Sequence, residues 1–236
     1  MSKTNRGLSM APERETKYVI RNSAAGILRQ WLENRCWSDP EFSAGIVHSI
    51  YYDTRDWRFL REKINSDYLK TKIRIRWYVD IDSREPGEAS FLEAKFKVGH
   101  CRKKVRIPTD YSGRELSRIN LDHQRLLELP ALLRPEGVVV AGRLAPVFEI
   151  CYKRRRFVEP ITQARLCLDY DIQAPRVNRQ VLSRSNPFAL QNAVFEMKGP
   201  LDELPQVLHQ LTGLGCQKES FSKYYVCYKK INRIMF

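Results

Sequence analysis

A chain of 236 residues with 43% hydrophobic and 11% aromatic residues can bury a full core, which excludes a disordered or low-complexity polypeptide. The 41 Lys+Arg against 27 Asp+Glu leave a formal charge of +14, so the expected partner is anionic: nucleic acid, anionic lipid or polyphosphate. No apolar run approaches the roughly 20 residues of a membrane helix. There is no secretory leader, and Cys36, Cys101, Cys151, Cys167, Cys216 and Cys227 are scattered without a CxxC pair. Together these features predict free thiols, no membrane segment in this chain and a cytoplasmic location.

Residues 1–11 show no periodicity and read as a mobile arm, with one domain over 12–236. ERETKYVI then alternates as a strand, with Glu13, Glu15 and Lys17 on one face. A helix over 23–34 follows, capped by Asn22 or Ser23, with Ile27, Leu28, Trp31 and Leu32 on its apolar side. In KTKIRIRWY the basic residues Lys70, Lys72, Arg74 and Arg76 share one face of a strand, and Thr71, Ile73, Ile75 and Trp77 share the other. The turn-rich SREPGEAS leads into FLEAKFKV, which sets Glu93, Lys95 and Lys97 together. CRKKVRI, with Arg102, Lys104 and Arg106 on one face, completes a three-strand meander. Leu121, Leu126, Leu127 and Leu129 predict a helix before Pro130.

The second half repeats the ladders. VFEICYKRRRF aligns Tyr152, Arg154 and Arg156; ARLCLDYD aligns Arg165, Cys167, Asp169 and Asp171; AVFEMKG aligns Glu196 and Lys198. LDELPQVLHQLTGLG predicts a helix over 201–215, with Pro205 in its first turn and glycine at its end. Ser222 and Lys223, in SFSKYY, close the series.

A single strand of this kind is an ordinary solvated face. Seven or so are not, because if every charged face looked outward the core would be thin. Curling an antiparallel sheet into a barrel resolves this: charged faces line the interior, and apolar faces become an outer surface on which helices dock. Such an interior repels itself when empty and suits a linear polyanion such as tripolyphosphate, held by forked Arg donors and mobile Lys charges. Clustered carboxylates beside phosphates suit Mg²⁺ or Mn²⁺. A single-strand nucleic-acid binder is the competing class, but Trp77 and Phe96 lie opposite the basic faces, where they cannot stack beside phosphate contacts. No nucleic acid is expected, and no Walker loop is present.

The series ERETKY, SIYYDTRDWRFLREK, KIRIRWY, FLEAKFK, YKRRRF, RLCLDYD, FEMKG and FSKYY resembles the VTC (vacuolar transporter chaperone) polyphosphate polymerase domain, from about Glu13 to about Tyr228. That domain belongs to the triphosphate tunnel metalloenzymes, the CYTH-like superfamily. The resemblance implies a closed eight-stranded antiparallel β-barrel with helices outside. It implies a Mn²⁺- or Mg²⁺-dependent transfer of the ATP γ-phosphate onto polyphosphate, with an inorganic or nucleoside triphosphatase as the alternative activity. Lys17, Arg74, Arg76, Lys95, Arg154 and Arg165 match the family's basic wall. Lys198, Ser222 and Lys223 match its end-of-tunnel phosphate contacts, with Lys104 placed by parity with Arg106. Glu196 matches the metal-binding glutamate, and Glu13 and Glu15 complete the ExExK signature. Three consecutive arginines in YKRRRF leave Arg154 and Arg156 as alternative registers. ATP and polyphosphate are the expected partners, and a membrane-protein partner is left open.

Overall fold

Period-two alternation builds eight long strands: β1 (Arg14–Arg21), β2 (Ala44–Thr54), β3 (Leu69–Val79), β4 (Pro86–Val98), β5 (Cys101–Thr109), β6 (Leu144–Val158), β7 (Arg165–Ala174) and β8 (Asn192–Gly199). The computed structural model describes residues 14–98, 101–182, 186–199 and 204–231, with only the backbone of Arg14, Cys101 and Arg102. The arm at 1–11 and Glu13 therefore lie outside the described residues.

The strands form one antiparallel sheet in the order β1-β8-β7-β6-β2-β3-β4-β5, extended by the two-residue strands Trp37–Ser38, Phe188–Ala189 and Gln217–Lys218. The expected closed barrel is not formed: among the described residues the end strands β1 and β5 do not pair with each other. The physical reason is occupancy. The free edge of β1 is taken by the returning chain at Gln217–Lys218, while the β5 edge carries Lys103, Lys104 and Pro108, residues that discourage strand addition. The sheet nevertheless curls strongly, since Arg76 on β3 reaches over β2 to donate to the Tyr152 hydroxyl on β6 at 3.1 Å.

Two apolar layers cover the convex face. Ile73, Ile75, Trp77, Leu92 and Ala94 pack under α3 (Gly113–Arg118), α4 (Gln124–Glu128) and a 3-10 turn at Leu129–Leu133, through Leu116, Leu126 and Leu129. Ser112 and Glu115 form a reciprocal capping box at the start of α3. Gly113 permits its close approach, for a Cβ there would stand 2.6 Å from the Trp77 ring. The second layer joins Tyr18, Phe157, Leu166, Leu168 and Phe195 to α1 (Ala25–Glu33) and the 3-10 turn Gln206–Leu211. The 201–215 helix is thus reduced to that turn beyond Pro205, with 201–203 outside the described residues. Asn22 does not cap α1; its side chain donates to Asp171 instead.

The concave side holds the main departure. SKYY is not a strand: α5 (Lys223–Ile231) is a helix, and it sits inside the curl rather than outside it. Phe221, Tyr224 and Cys227 pack there against Val19, Tyr51, Phe148, Ile150 and Val194, and Tyr224 stacks on Tyr51 and on Phe148. Asp53, from YYDT, ties this helix in place. It accepts from the Tyr224 hydroxyl at 2.6 Å and from the first backbone amides of α2 (Arg58–Ile64), at Phe59 and Leu60.

Candidate functional site

With α5 filling one part of the concavity, the remaining concave face of β1 and β3 to β8 is charged. Three carboxylates organise its deep cations. Glu93 on β4 receives the Arg74 fork at 2.9 and 2.7 Å and Lys104 at 2.9 Å, with Arg76 and Arg106 at 3.9 and 3.7 Å. Asp169 on β7 takes Arg154 at 2.6 and 2.7 Å and Lys223 at 2.6 Å. Glu196 on β8 takes Lys17 at 3.1 Å and Lys223 at 3.5 Å. Burial alone would raise these acids. Instead Arg74 and Arg76 hold Glu93 far below the usual carboxylate range, and Lys223 and Lys17 do the same for Glu196. Arg154 and Lys223 lower Asp169 likewise.

Phenols and a hydroxyl finish the clamping. Arg74 donates to Tyr51 at 3.1 Å, and Arg76 donates to Ser49 at 3.0 Å and to Tyr152 at 3.1 Å. The guanidiniums are fixed on one side, leaving donors for a bound anion on the other.

A second group of cations is held differently. Lys72 and Lys95 face each other across β3 and β4, as do Lys70 and Lys97 one step further out. Like charges directly opposite in a sheet are destabilising. Among the described residues, none of these four has a carboxylate at ion-pair distance; the nearest polar partner of Lys72 is Ser222, at 3.3 Å. Burial, then Lys17, Arg74 and Lys223, push Lys72 down to about 8. Lys95 is an exposed residue overall, yet crowding by the protein and then by Arg74, Lys198 and Arg76 pushes it down to about 7.

The sequence-derived set is thus largely brought together: Lys17, Arg74, Arg76, Lys95, Arg154, Lys198, Ser222 and Lys223 border one concavity with Glu15 and Glu196. Ser222 and Lys223 arrive there at the start of α5 and not on a strand. Arg154 holds the register that meets Asp169, while Arg156 donates to the Phe42 carbonyl at 2.9 Å. Arg165 is exposed at the start of β7, and Lys104 reaches Glu93 from an exposed position on the end strand. Asp171 leaves the ladder, because a positive φ of 51° turns it toward Asn22 and Lys153. Ser49 was not singled out from sequence, Tyr51 reads there as packing, and the particular arginines that Tyr51, Tyr152 and Glu93 hold were not assigned. Their alternation was visible, but which cation each one holds depends on the curl of the sheet. His48 lies off the site, paired with Glu149 at 2.6 Å and stacked on Trp77.

The VTC domain family model matches residues 12–232. The chain belongs to the VTC-domain family. A candidate adenylate cyclase from Bacillus halodurans superposes with a TM-score of 0.53 at 15% identity, over 96% of this chain and 98% of that one. A second, from Vibrio parahaemolyticus, aligns over 94% and 97% at 12% identity with a TM-score of 0.46. No curated protein matches. Family membership and the first superposition fit a triphosphate-tunnel fold, here as an open-edged curl rather than a sealed barrel. No helix among the described residues is long and apolar enough to cross a membrane.

Proposed function

We infer that this VTC-domain chain, over residues 12–236, transfers the γ-phosphate of ATP onto the end of an inorganic polyphosphate chain lying along the concave face. The observation that carries this reading is the imbalance of charge: Arg74 and Arg154 are oriented by carboxylates and Arg76 by hydroxyls, while Lys72 and Lys95 stand in a predominantly positive field. That is a surface completed by a multiply charged linear anion. Phosphoryl transfer asks mainly for in-line positioning and charge stabilisation. The terminal oxygen of the polyphosphate attacks the γ-phosphorus, the bond to the β,γ-bridging oxygen breaks, and ADP leaves with that electron pair. Arg74, Arg76 and Arg154 stabilise the charge on the moving group, and no protein nucleophile takes part.

Among the described residues no three metal-ligating side chains converge. A Mg²⁺ or Mn²⁺ bound to phosphates needs only one or two carboxylates. Glu15 and Glu196 would supply them, for both reach the same ammonium, Lys17, at 2.9 and 3.1 Å. The ion would neutralise and orient phosphate oxygens. Glu13, expected beside them, lies outside the described residues.

Glu15 on the concave face also favours a second reading, hydrolysis of triphosphate by water held near the same carboxylates. Incubation with ATP and Mn²⁺ or Mg²⁺, followed by gel electrophoresis and phosphorus NMR, separates the two. Long-chain polyphosphate supports the transferase, orthophosphate alone supports the hydrolase, and neither product defeats both.

A further inference from the structure

The end of the β3–β4 strand pair that carries Leu69 and Val98 has two chemically distinct faces. On the convex face Leu69 and Val98 are directly paired, and they are 39% and 42% exposed, beyond the helices that bury Ile73 and Ala94. On the concave face the next pair is Lys70 and Lys97. The chain entering this end adds Ile64, the last residue of α2, at 51% exposure and Tyr68 at 73%. Leu69 borders the same cleft as Arg58, Arg61 and Asn65, so the end of α2 and the strand ends form one lip.

Large apolar side chains exposed singly need no explanation, but a paired Leu69 and Val98 with Tyr68 next in the chain and Ile64 at the end of α2, beside a basic row, do. Glu62 and Asp56 pair with Arg58 and Arg61, so among the described residues the remaining charge of the lip is Lys63, Lys70 and Lys97 against Asp67, a net positive edge. Lys63 lies within the field of the other two. An apolar edge with an aromatic at its tip and flexible lysines along one side is the chemistry of a surface that inserts at a headgroup layer, the apolar groups entering the acyl boundary and the ammoniums staying at phosphate level. We propose that this lip, formed by Ile64, Tyr68, Leu69 and Val98 with Lys63, Lys70 and Lys97, docks on an anionic lipid bilayer. The proposal does not depend on which reaction the concave site performs.

The test is flotation of the full chain with vesicles of phosphatidylglycerol and phosphatidylcholine in equal parts, or of phosphatidylcholine alone. Tripolyphosphate is present to occupy the concave cations. The chain should float with the anionic vesicles only, and Tyr68→Ser/Leu69→Ser/Val98→Ser should weaken that binding by about tenfold or more with an unchanged melting temperature. Tyr68→Trp, which keeps the aromatic, should still bind and show blue-shifted emission on anionic vesicles. Failure of the parent to float at low salt overturns the proposal, as does equal flotation of the triple variant, which would mean that charge elsewhere drives binding. A concentration-dependent dimer that the triple variant abolishes, with no vesicle binding, would assign the lip to a second copy of the chain instead. Flotation displaced by an acidic polypeptide but not by the triple substitution would likewise remove the lipid assignment.

Discussion

Arg74 and Lys72 are neighbours on the same face of β3, yet they are held in opposite ways. Arg74 is gripped by Glu93 and Tyr51, and its proton is more tightly held than in water. Lys72 donates to a single hydroxyl and is pushed down to about 8. The division recurs along the concavity: Arg74 and Arg154 are clamped by carboxylates in the depth, where Lys17 and Lys223 are paired with Glu196 and Asp169, while Lys72 and Lys70 face Lys95 and Lys97 toward the lip. The contrast follows from side-chain chemistry. A planar guanidinium can satisfy a carboxylate on one edge and still offer donors on another, so orienting it costs no binding capacity. An ammonium is a point charge on a flexible stem, useful to an anion that slides past at no fixed angle. Clamped arginines suit the place where one phosphorus must be positioned, and loose lysines suit the passage of a repeating chain.

The strongest way to break the comparison is to remove a clamp. Glu93 is buried and surrounded by Arg74, Arg76, Lys104 and Arg106, so Glu93→Gln leaves the buried Arg76 and the largely covered Arg74 without their counter-charge. Breaking a buried pair from one side costs about 3–5 kcal/mol. Urea unfolding should show a loss of that order, and tripolyphosphate should restore part of it by supplying the missing negative charge. A loss below about 1 kcal/mol, the ordinary value for exposed pairs, would mean that the arginines are not held by Glu93.

Next in size is the binding role of the clamped arginines. Arg74→Ala and Arg76→Ala should each weaken tripolyphosphate binding by on the order of 1.5–3 kcal/mol, the worth of a charge-assisted contact. Titration calorimetry checks it. Variants that bind as tightly as the parent would mean that the Glu93 network is purely structural.

These effects also mark how far the residues could be read before folding. Parity alone set Arg74, Arg76, Glu93 and Glu196 on the charged faces, because a strand with one buried side admits only one register. It gave no warning that Asp171 turns out of line, since a left-handed residue within a strand has no signature in alternation. The strand at 44–54 was not assigned either: Ile46 to Asp53 carries apolar residues on both sides, for one face packs under α3 and α4 and the other under α5. The helix KYYVCYKKI escaped for a related reason. Lying inside the sheet, it exposes no regular polar stripe, and its position is set by distant partners, Asp53 through Tyr224 and Asp169 through Lys223. An open edge in place of a sealed barrel could not be inferred, because which segment takes the β1 edge is a matter of tertiary competition.

A smaller effect, opposite in sign for the two ligand states, is expected in the loose half. Lys72→Met removes a charge that faces Lys95 and lies in the field of Lys17, Arg74 and Lys223. The empty protein should therefore melt slightly higher, by an amount on the order of 0.5–1 kcal/mol for relieving directly opposed like charges, while tripolyphosphate binding weakens. A variant that melts lower when empty would place Lys72 among the clamped cations after all.

The smallest expected signal distinguishes the two halves by their protons. Lys95 and Lys72 have folded values of about 7 and about 8, below the ordinary lysine value of 10.5. At pH 8 Lys95 is mostly neutral and Lys72 is about half neutral. A bound polyanion favours the charged form of both and raises their values, so binding at pH 8 must draw protons from the buffer. The clamped groups contribute nothing, because Arg74 and Arg154 are fully protonated with or without ligand. Titrations of tripolyphosphate in buffers of different ionisation heat should show net uptake near pH 8 that fades below about pH 6, where both lysines are already charged in the empty protein. The ligand's own last ionisation, measured in a blank titration, is subtracted. Lys95→Met should remove more of the uptake than Lys72→Met at pH 7 and at pH 8, with the share of Lys72 growing toward pH 9, following their different free values. Uptake that survives both substitutions would locate the titrating groups elsewhere, and the division between clamped arginines and loose lysines would lose its electrostatic basis.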